Sequence, residues 1–325
     1  MNGQSYNPFY SLQNAAARVY AFLDLLDQLG IKDKQSGLYR ACIKVLEHHE
    51  YHEKPELRNG KTDNRADLQA IMGLNDFIAK ILSARYHPQF NLLYPHLRLL
   101  PTALIPQTVP ADVRDQGSNK LFELYLAILC LHCFSDVEVD SPENSKGDNP
   151  DIMFKFLNKK WGIACKVMHS AKVKTILDRI QEGIQQIEHS DADTGIVIIS
   201  LRNIIEYNDI LPLLNPTEHK TGADPVYGAF TNTILPGVLL YADSEKIRDS
   251  LHEELGESGA KALFSGKKSA PNVCMFVQAS SLTAIGGLPV PTILRMFTIL
   301  QWYDKTPDET VCMVNHLNNM MHLIQ

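Results

Sequence analysis

Two residues of this chain are well placed to do chemistry together, Asp151 and Lys166. The sequence between them reads as two short strands. Ile152, Phe154 and Phe156 alternate with Met153, Lys155 and Leu157, Asn158-Lys159-Lys160 breaks the run, and Trp161 to Met168 resumes it with β-formers. Pairing of these strands as a hairpin would bring the Asp151 carboxylate close to the Lys166 ammonium. At a sheet edge that pair is the minimum needed to hold a divalent cation and to stabilise a phosphate under attack. Magnesium prefers hard oxygen ligands and keeps several waters, so a carboxylate and a backbone carbonyl such as that of Cys165 suit it.

The elements around the hairpin must position these groups. Asn119 to Phe134 is a strongly apolar helix, and Glu123 is set into it with apolar neighbours on both sides. An acid on such a helix is costly unless something pairs with it, which makes Glu123 a candidate for the same site. The plainer alternative puts Glu123 on a narrow exposed face with Lys120. Cys130 and Cys133 share the helix, and one Cys-x-x-Cys pair is more often core packing than a zinc site. Phe134 to Asp140 reads as a first strand, followed by a polar loop from Ser141 to Asn149. Beyond the hairpin, Val173 to Ile187 carries one apolar stripe (Val173, Ile176, Leu177, Ile180, Ile184, Ile187) opposite a polar face with Lys172, Lys174, Arg179, Gln181, Gln185 and Gln186. Thr194 to Leu201 is a continuous apolar run of the kind found in covered sheets.

With the order helix, three strands, helix, strand in place, Asn119 to Asn203 resembles the PD-(D/E)XK, or restriction-endonuclease-like, nuclease superfamily. Pro150-Asp151 stands where that family has its PD, and Ala164-Cys165-Lys166 where it has (D/E)XK. The resemblance implies an α/β (α+β) fold with a mixed central sheet flanked by helices, and a magnesium- or manganese-dependent nuclease cutting DNA, of bacterial defence or repair type. It also implies roles. Asp151, Glu123 and the Cys165 carbonyl would hold the metal, and Lys166 would orient water or stabilise charge at phosphorus. Lys172, Arg179, Gln181 and Gln185 would approach the nucleic-acid backbone. One residue departs from the pattern: Ala164 stands where the family has its second acid. Three accounts of it stay open: an inactivated variant, a natural protein on a nuclease fold that binds or scaffolds without cutting, or replacement by Glu138 or Asp140. On the first account Ala164→Glu should restore metal-dependent cleavage. A further rival, from the residues alone, makes Cys165 a nucleophile with His169 nearby.

The rest of the chain sets bounds. Residues 1–115 read as a helical region of three amphipathic segments (Ser11 to Leu29, Ser36 to Glu47, Arg65 to Arg85), and 116–325 as the nuclease-like core with a C-terminal extension. His48-His49-Glu50-Tyr51-His52-Glu53 lacks the spacing of a zinc helix and reads as a solvated helix end. In the extension, Ile234 to Ala242 and Val273 to Ala279 read as strands joining the same sheet, and Glu245 to Phe264, Pro291 to Trp302 and Val311 to Ile324 as helices. A net charge of −6 disfavours a generally basic nucleic-acid binder but leaves room for a local groove. The scattered cysteines, absence of a leader pattern and lack of a bilayer-length apolar run point to a cytoplasmic protein without a membrane span. No P-loop occurs, so any helicase or ATPase partner would be a separate chain. A homodimer is a further assembly that the family likeness allows.

Overall fold

The computed structural model describes residues 12–31, 37–53, 63–111, 116–143, 148–215, 227–232, 234–302 and 304–324. Among them are nine α-helices and a six-stranded mixed sheet. The helices are α1 (Leu12–Gln28), α2 (Gly37–Glu53), α3 (Arg65–Ala84), α4 (Tyr94–Leu97), α5 (Gln116–Cys133), α6 (Val173–His189), α7 (Tyr207–Ile210), α8 (Ile234–Phe264) and α9 (Asp308–Leu323). The strands are β1 (Ser135–Val139), β2 (Ile152–Phe156), β3 (Lys159–Val167), β4 (Thr194–Ser200), β5 (Val273–Ile285) and β6 (Leu288–Leu300), and they lie side by side in chain order. Pairing is antiparallel from β1 to β3, parallel from β3 through β4 to β5, and antiparallel between β5 and β6.

The expected helix–strand–strand–strand–helix–strand order is present from α5 to β4. Leu157 and Asn158 take positive φ values of 50° and 59° and close β2 onto β3 as a two-residue turn. The turn therefore precedes Lys159-Lys160, and the two lysines already belong to β3.

The sheet separates two apolar layers. One holds Phe22, Phe77, Leu126, Ile163, Cys165, Phe276 and Met321, and so joins α1, α3, α5 and α9 to one sheet face. The other holds Ala164, Ile180, Ile184, Val197, Ile199, Ile247 and Phe264, beneath α6 and α8. The N-terminal helices are thus continuous with the core: α3 packs on both α5 and β5. No described helix is long and apolar enough to cross a membrane.

Two stretches of the extension differ from their sequence reading. Ile234 to Ala242, expected as a strand, opens α8. Its apolar run hid the helical spacing of the residues that are buried, Leu240, Ile247 and Leu251, and Pro236 is tolerated within a first turn. Gly256, with φ 62° and ψ 177°, breaks this helix into two. Pro291 to Trp302, expected as a helix, is mostly β6, paired with β5 from Val273↔Leu300 to Ile285↔Leu288. Gly286-Gly287, both at positive φ, form the turn, and Pro289 and Pro291 are accommodated because β6 is an edge strand.

Candidate active site

The chemistry-bearing residues gather where β2 and β3 part. Their last regular pair is Ile152↔Ile163. One residue further, the Asp151 N–H still donates to the Ile163 carbonyl at 3.0 Å, but the Cys165 N–H then donates to the Asp151 side chain, Oδ2, at 2.7 Å. The carboxylate has taken the place of a ladder carbonyl. This fixes its rotamer and aims its other oxygen, Oδ1, toward α5.

From α5 comes Glu123, as buried as Asp151 (each 5% exposed), and the two carboxyl groups are near enough that the charge of one acts on the other. The Lys120 ammonium lies 2.8 Å from Glu123 Oε1 and 3.8 Å from Asp151 Oδ1. Fully buried His96, on α4, approaches Glu123 Oε2 at 3.3 Å. Burial, then the positive charge of Lys120, push the His96 pKa down to about 4, so the ring is neutral, and in its Nε2–H tautomer it donates to the Glu123 carboxylate. Its Nδ1 is buried without a protein partner.

These contacts decide the electrostatics. Burial, followed by repulsion from Glu123, raises the Asp151 pKa to about 7, against the opposing pull of Lys120, Lys166 and the Cys165 N–H. Glu123 is also raised, chiefly by burial, although Lys120 works against it. Lys120 itself loses by burial, but Glu123 and Asp151 outweigh that loss and move it upward. Two carboxylates that cannot both ionise cheaply share one cation and have room to share one proton.

Strand alternation places the other expected residues differently. Ala164 and Lys166 lie on the α6 side of β3, while Cys165 lies on the α5 side with the carboxylates. The Lys166 ammonium donates to Gln186 Oε1 at 2.6 Å, and Gln186 sits on the buried side of α6. Lys166 still acts on Glu123 and Asp151 through its charge, lowering the pKa of each. Position 164 faces apolar packing instead of the acids. Glu138 is drawn off to Lys160 at 3.1 Å, while Asp140 donates its N–H to the Asp151 carbonyl at 2.9 Å. On α6, Arg179 is paired with Glu182 at 2.7 Å, and Lys172, Gln181 and Gln185 face solvent.

The cysteine rival loses its geometry here. Burial pushes the Cys165 thiol well up, and both ring nitrogens of His169 are engaged, by Asn119 at 3.3 Å and Asn203 at 2.9 Å.

Sequence reasoning set Lys120 beside Glu123 only on an exposed face, put Gln186 on the polar face of its helix where it is in fact buried, and missed His96 altogether. Lys120 had a signal, since a lysine three residues before an acid on a helix is ion-pair spacing. His96 had none, because α4 contacts Glu123 only through the tertiary fold.

Among the described residues no group of three or more His, Cys, Asp or Glu side chains is arranged to hold a metal ion. Two adjacent carboxylates remain, and their oxygen chemistry fits an ion that is bound through one or two carboxylates and completes its shell with water and substrate phosphate. The ammonium of Lys120 already marks the cation position between them.

Compared with known protein families, curated proteins and solved structures, the chain matches none at a significant level.

Proposed function

We propose that this chain is a metal-dependent nuclease of the restriction-endonuclease-like kind, hydrolysing phosphodiester bonds of DNA. The observation that carries the reading is the convergence of Glu123 and Asp151, from a helix and from a diverging hairpin, around one cation position. The residues that would hold Mg2+ or Mn2+ are Asp151 and Glu123, with the Cys165 carbonyl as a candidate oxygen. When bound, the ion supplies positive charge to the phosphoryl oxygens and makes a water more acidic. The protein's own part is orientation. The Cys165 N–H fixes Asp151, and neutral His96 holds Glu123. Lys172, Arg179, Gln181 and Gln185 lie on the solvent side of α6, across the sheet from the acids, and would meet a nucleic-acid backbone that also runs along that side.

A second reading has its own support. Ala164 points away from the acids and no group of three or more His, Cys, Asp or Glu side chains among the described residues is arranged to hold a metal, which favours a nuclease-fold protein that binds nucleic acid, or scaffolds a separate ATPase, without cutting. One experiment separates the two. The full chain is incubated with plasmid, single-stranded DNA and RNA in 5–10 mM Mg2+ or Mn2+ (roughly the range in which a two-carboxylate site fills). The first reading expects cleavage that EDTA abolishes and that Asp151→Asn reduces at least about 100-fold. Retained binding with no cleavage of any substrate would hand the case to the second.

A further inference from the structure

The lysine expected from the sequence to serve the acids and the lysine that meets them are different residues. Lys166 shares its strand face with Ala164, and its ammonium is taken by Gln186 beneath α6. Lys120 is on the acid side. Its Nζ reaches both Glu123 oxygens, at 2.8 and 3.0 Å, and stands 3.8 Å from Asp151 Oδ1. Its side chain is 27% exposed while those of both acids are 7% exposed, so it bridges solvent and the buried pair. A lysine stem at such a boundary can withdraw its charged end into water without uncovering apolar surface.

We infer that Lys120, not Lys166, is the lysine that governs this site: it fills the cation position in the metal-free protein and, displaced by a divalent ion, turns its ammonium toward the substrate phosphate. This rests on the metal-dependent reading above. The physical argument is competition. An ammonium already lodged between two carboxylates opposes a second cation arriving at the same oxygens, and it does so more strongly in a buried site than in water. Removing it leaves two acids whose repulsion only an incoming cation or a proton can relieve. An arginine there would do the reverse, because its planar fork grips carboxylates in two places and is harder to displace.

The test is titration calorimetry of Mg2+ and Mn2+ into the full chain, without nucleic acid, for the wild type, Lys120→Met, Lys120→Arg and Lys166→Met. Lys120→Met should bind the ion at least about tenfold more tightly and Lys120→Arg at least about tenfold more weakly, with Lys166→Met within about threefold of wild type. The arginine variant keeps the charge and guards against a methionine variant that does not fold. Unchanged affinity in both Lys120 variants, or the tightening found instead in Lys166→Met, overturns the inference. Cleavage supplies a separate arm. Lys120→Met should cut at least about 100-fold more slowly despite tighter metal binding, and wild-type cutting by that variant removes the phosphate role. A wild type that cuts no substrate speaks against the nuclease reading, while the calorimetry still decides what Lys120 does.

Discussion

Ala164 and Gly183 meet where α6 crosses β3: a β-carbon built on Gly183 would stand 3.3 Å from that of Ala164 and 2.9 Å from a Val197 methyl. The small pair lets the helix lie close to the sheet, and Ala164 is fully buried in that contact. The alanine that departs from the nuclease pattern therefore has a packing role. Glutamate at this position would push α6 away and bury a carboxylate among Ile180, Val197 and their neighbours. Ala164→Glu is expected to lose about 3–5 kcal/mol of stability or fail to fold, and to gain no metal affinity. Urea unfolding and metal titration of the variant check this. A stable Ala164→Glu protein that binds Mg2+ more tightly than wild type would show that position 164 can reach the acids.

A second buried charge cluster ties the N-terminal helices to the sheet. Asp76 on α3 accepts from Lys80 at 2.6 Å, from Tyr125 Oη at 3.0 Å, from Gln278 Nε2 at 2.8 Å and from Arg295. Lys80 in turn donates to the Ile324 carbonyl at 2.6 Å, which adds the C-terminal end to the network. Asp76→Asn would leave the buried Arg295 guanidinium without its carboxylate, so a cost of about 3–5 kcal/mol is expected in chemical denaturation. The surface pair Lys44–Asp67 is the control. At 2.5 Å it is about as short as the Lys80–Asp76 contact but about half exposed, and Asp67→Asn should cost below about 1 kcal/mol. Equal losses at the two sites would mean that burial does not set the value of these pairs.

How much of this was legible in the sequence follows from what each element depends on. The α5–β4 segment was readable because its periods are local: alternation in β2, a stripe in α6, an unbroken apolar run in β4. Glu123 could be singled out because an acid amid apolar helix residues needs an explanation wherever the helix goes. The exchange of strand and helix in the extension was not readable from apolar runs alone. What makes 291–300 a strand is its cross-strand pairing with β5, and the Gly286-Gly287 doublet is a local hairpin signal that the sequence reading leaves unused. The side of the sheet that Lys166 serves was least accessible. Alternation correctly puts 164 and 166 together, but which face receives the acids depends on Asp151 leaving the ladder and turning to α5.

The free edge of β6 is closed by a side chain. Asn318 on α9 accepts from the Phe297 N–H through Oδ1 and donates to the Phe297 carbonyl through Nδ2, both at 2.8 Å, as a neighbouring strand would. The planar amide does both at once. Asn318→Ala is expected to cost about 1–2 kcal/mol. Asn318→Asp should fare no better, because a carboxylate cannot donate to the carbonyl and repels it. Denaturation of the two variants tests the point, and an aspartate variant as stable as wild type would show that the acceptor alone matters.

Acid should weaken the C-terminal docking through His322. Burial, then the charges of Arg295 and Lys80, hold its pKa down at about 4, against an ordinary value near 6.5. Between these values the unfolded chain binds a proton that the folded chain does not, so this residue's contribution to stability is present above about pH 6.5 and is lost as pH falls toward 4. The slope it adds is at most about 1.4 kcal/mol per pH unit. Buried His96 adds a slope of the same sign, whereas Asp151, raised to about 7, adds one of the opposite sign, so the wild-type profile alone does not isolate it. The difference between wild type and His322→Gln does, because the other groups cancel. That difference should shrink, or reverse in favour of the variant, as pH is lowered from about 7 to about 4 in urea unfolding. A difference that stays constant over the range would mean that His322 takes up its proton in the folded protein as readily as in the unfolded chain.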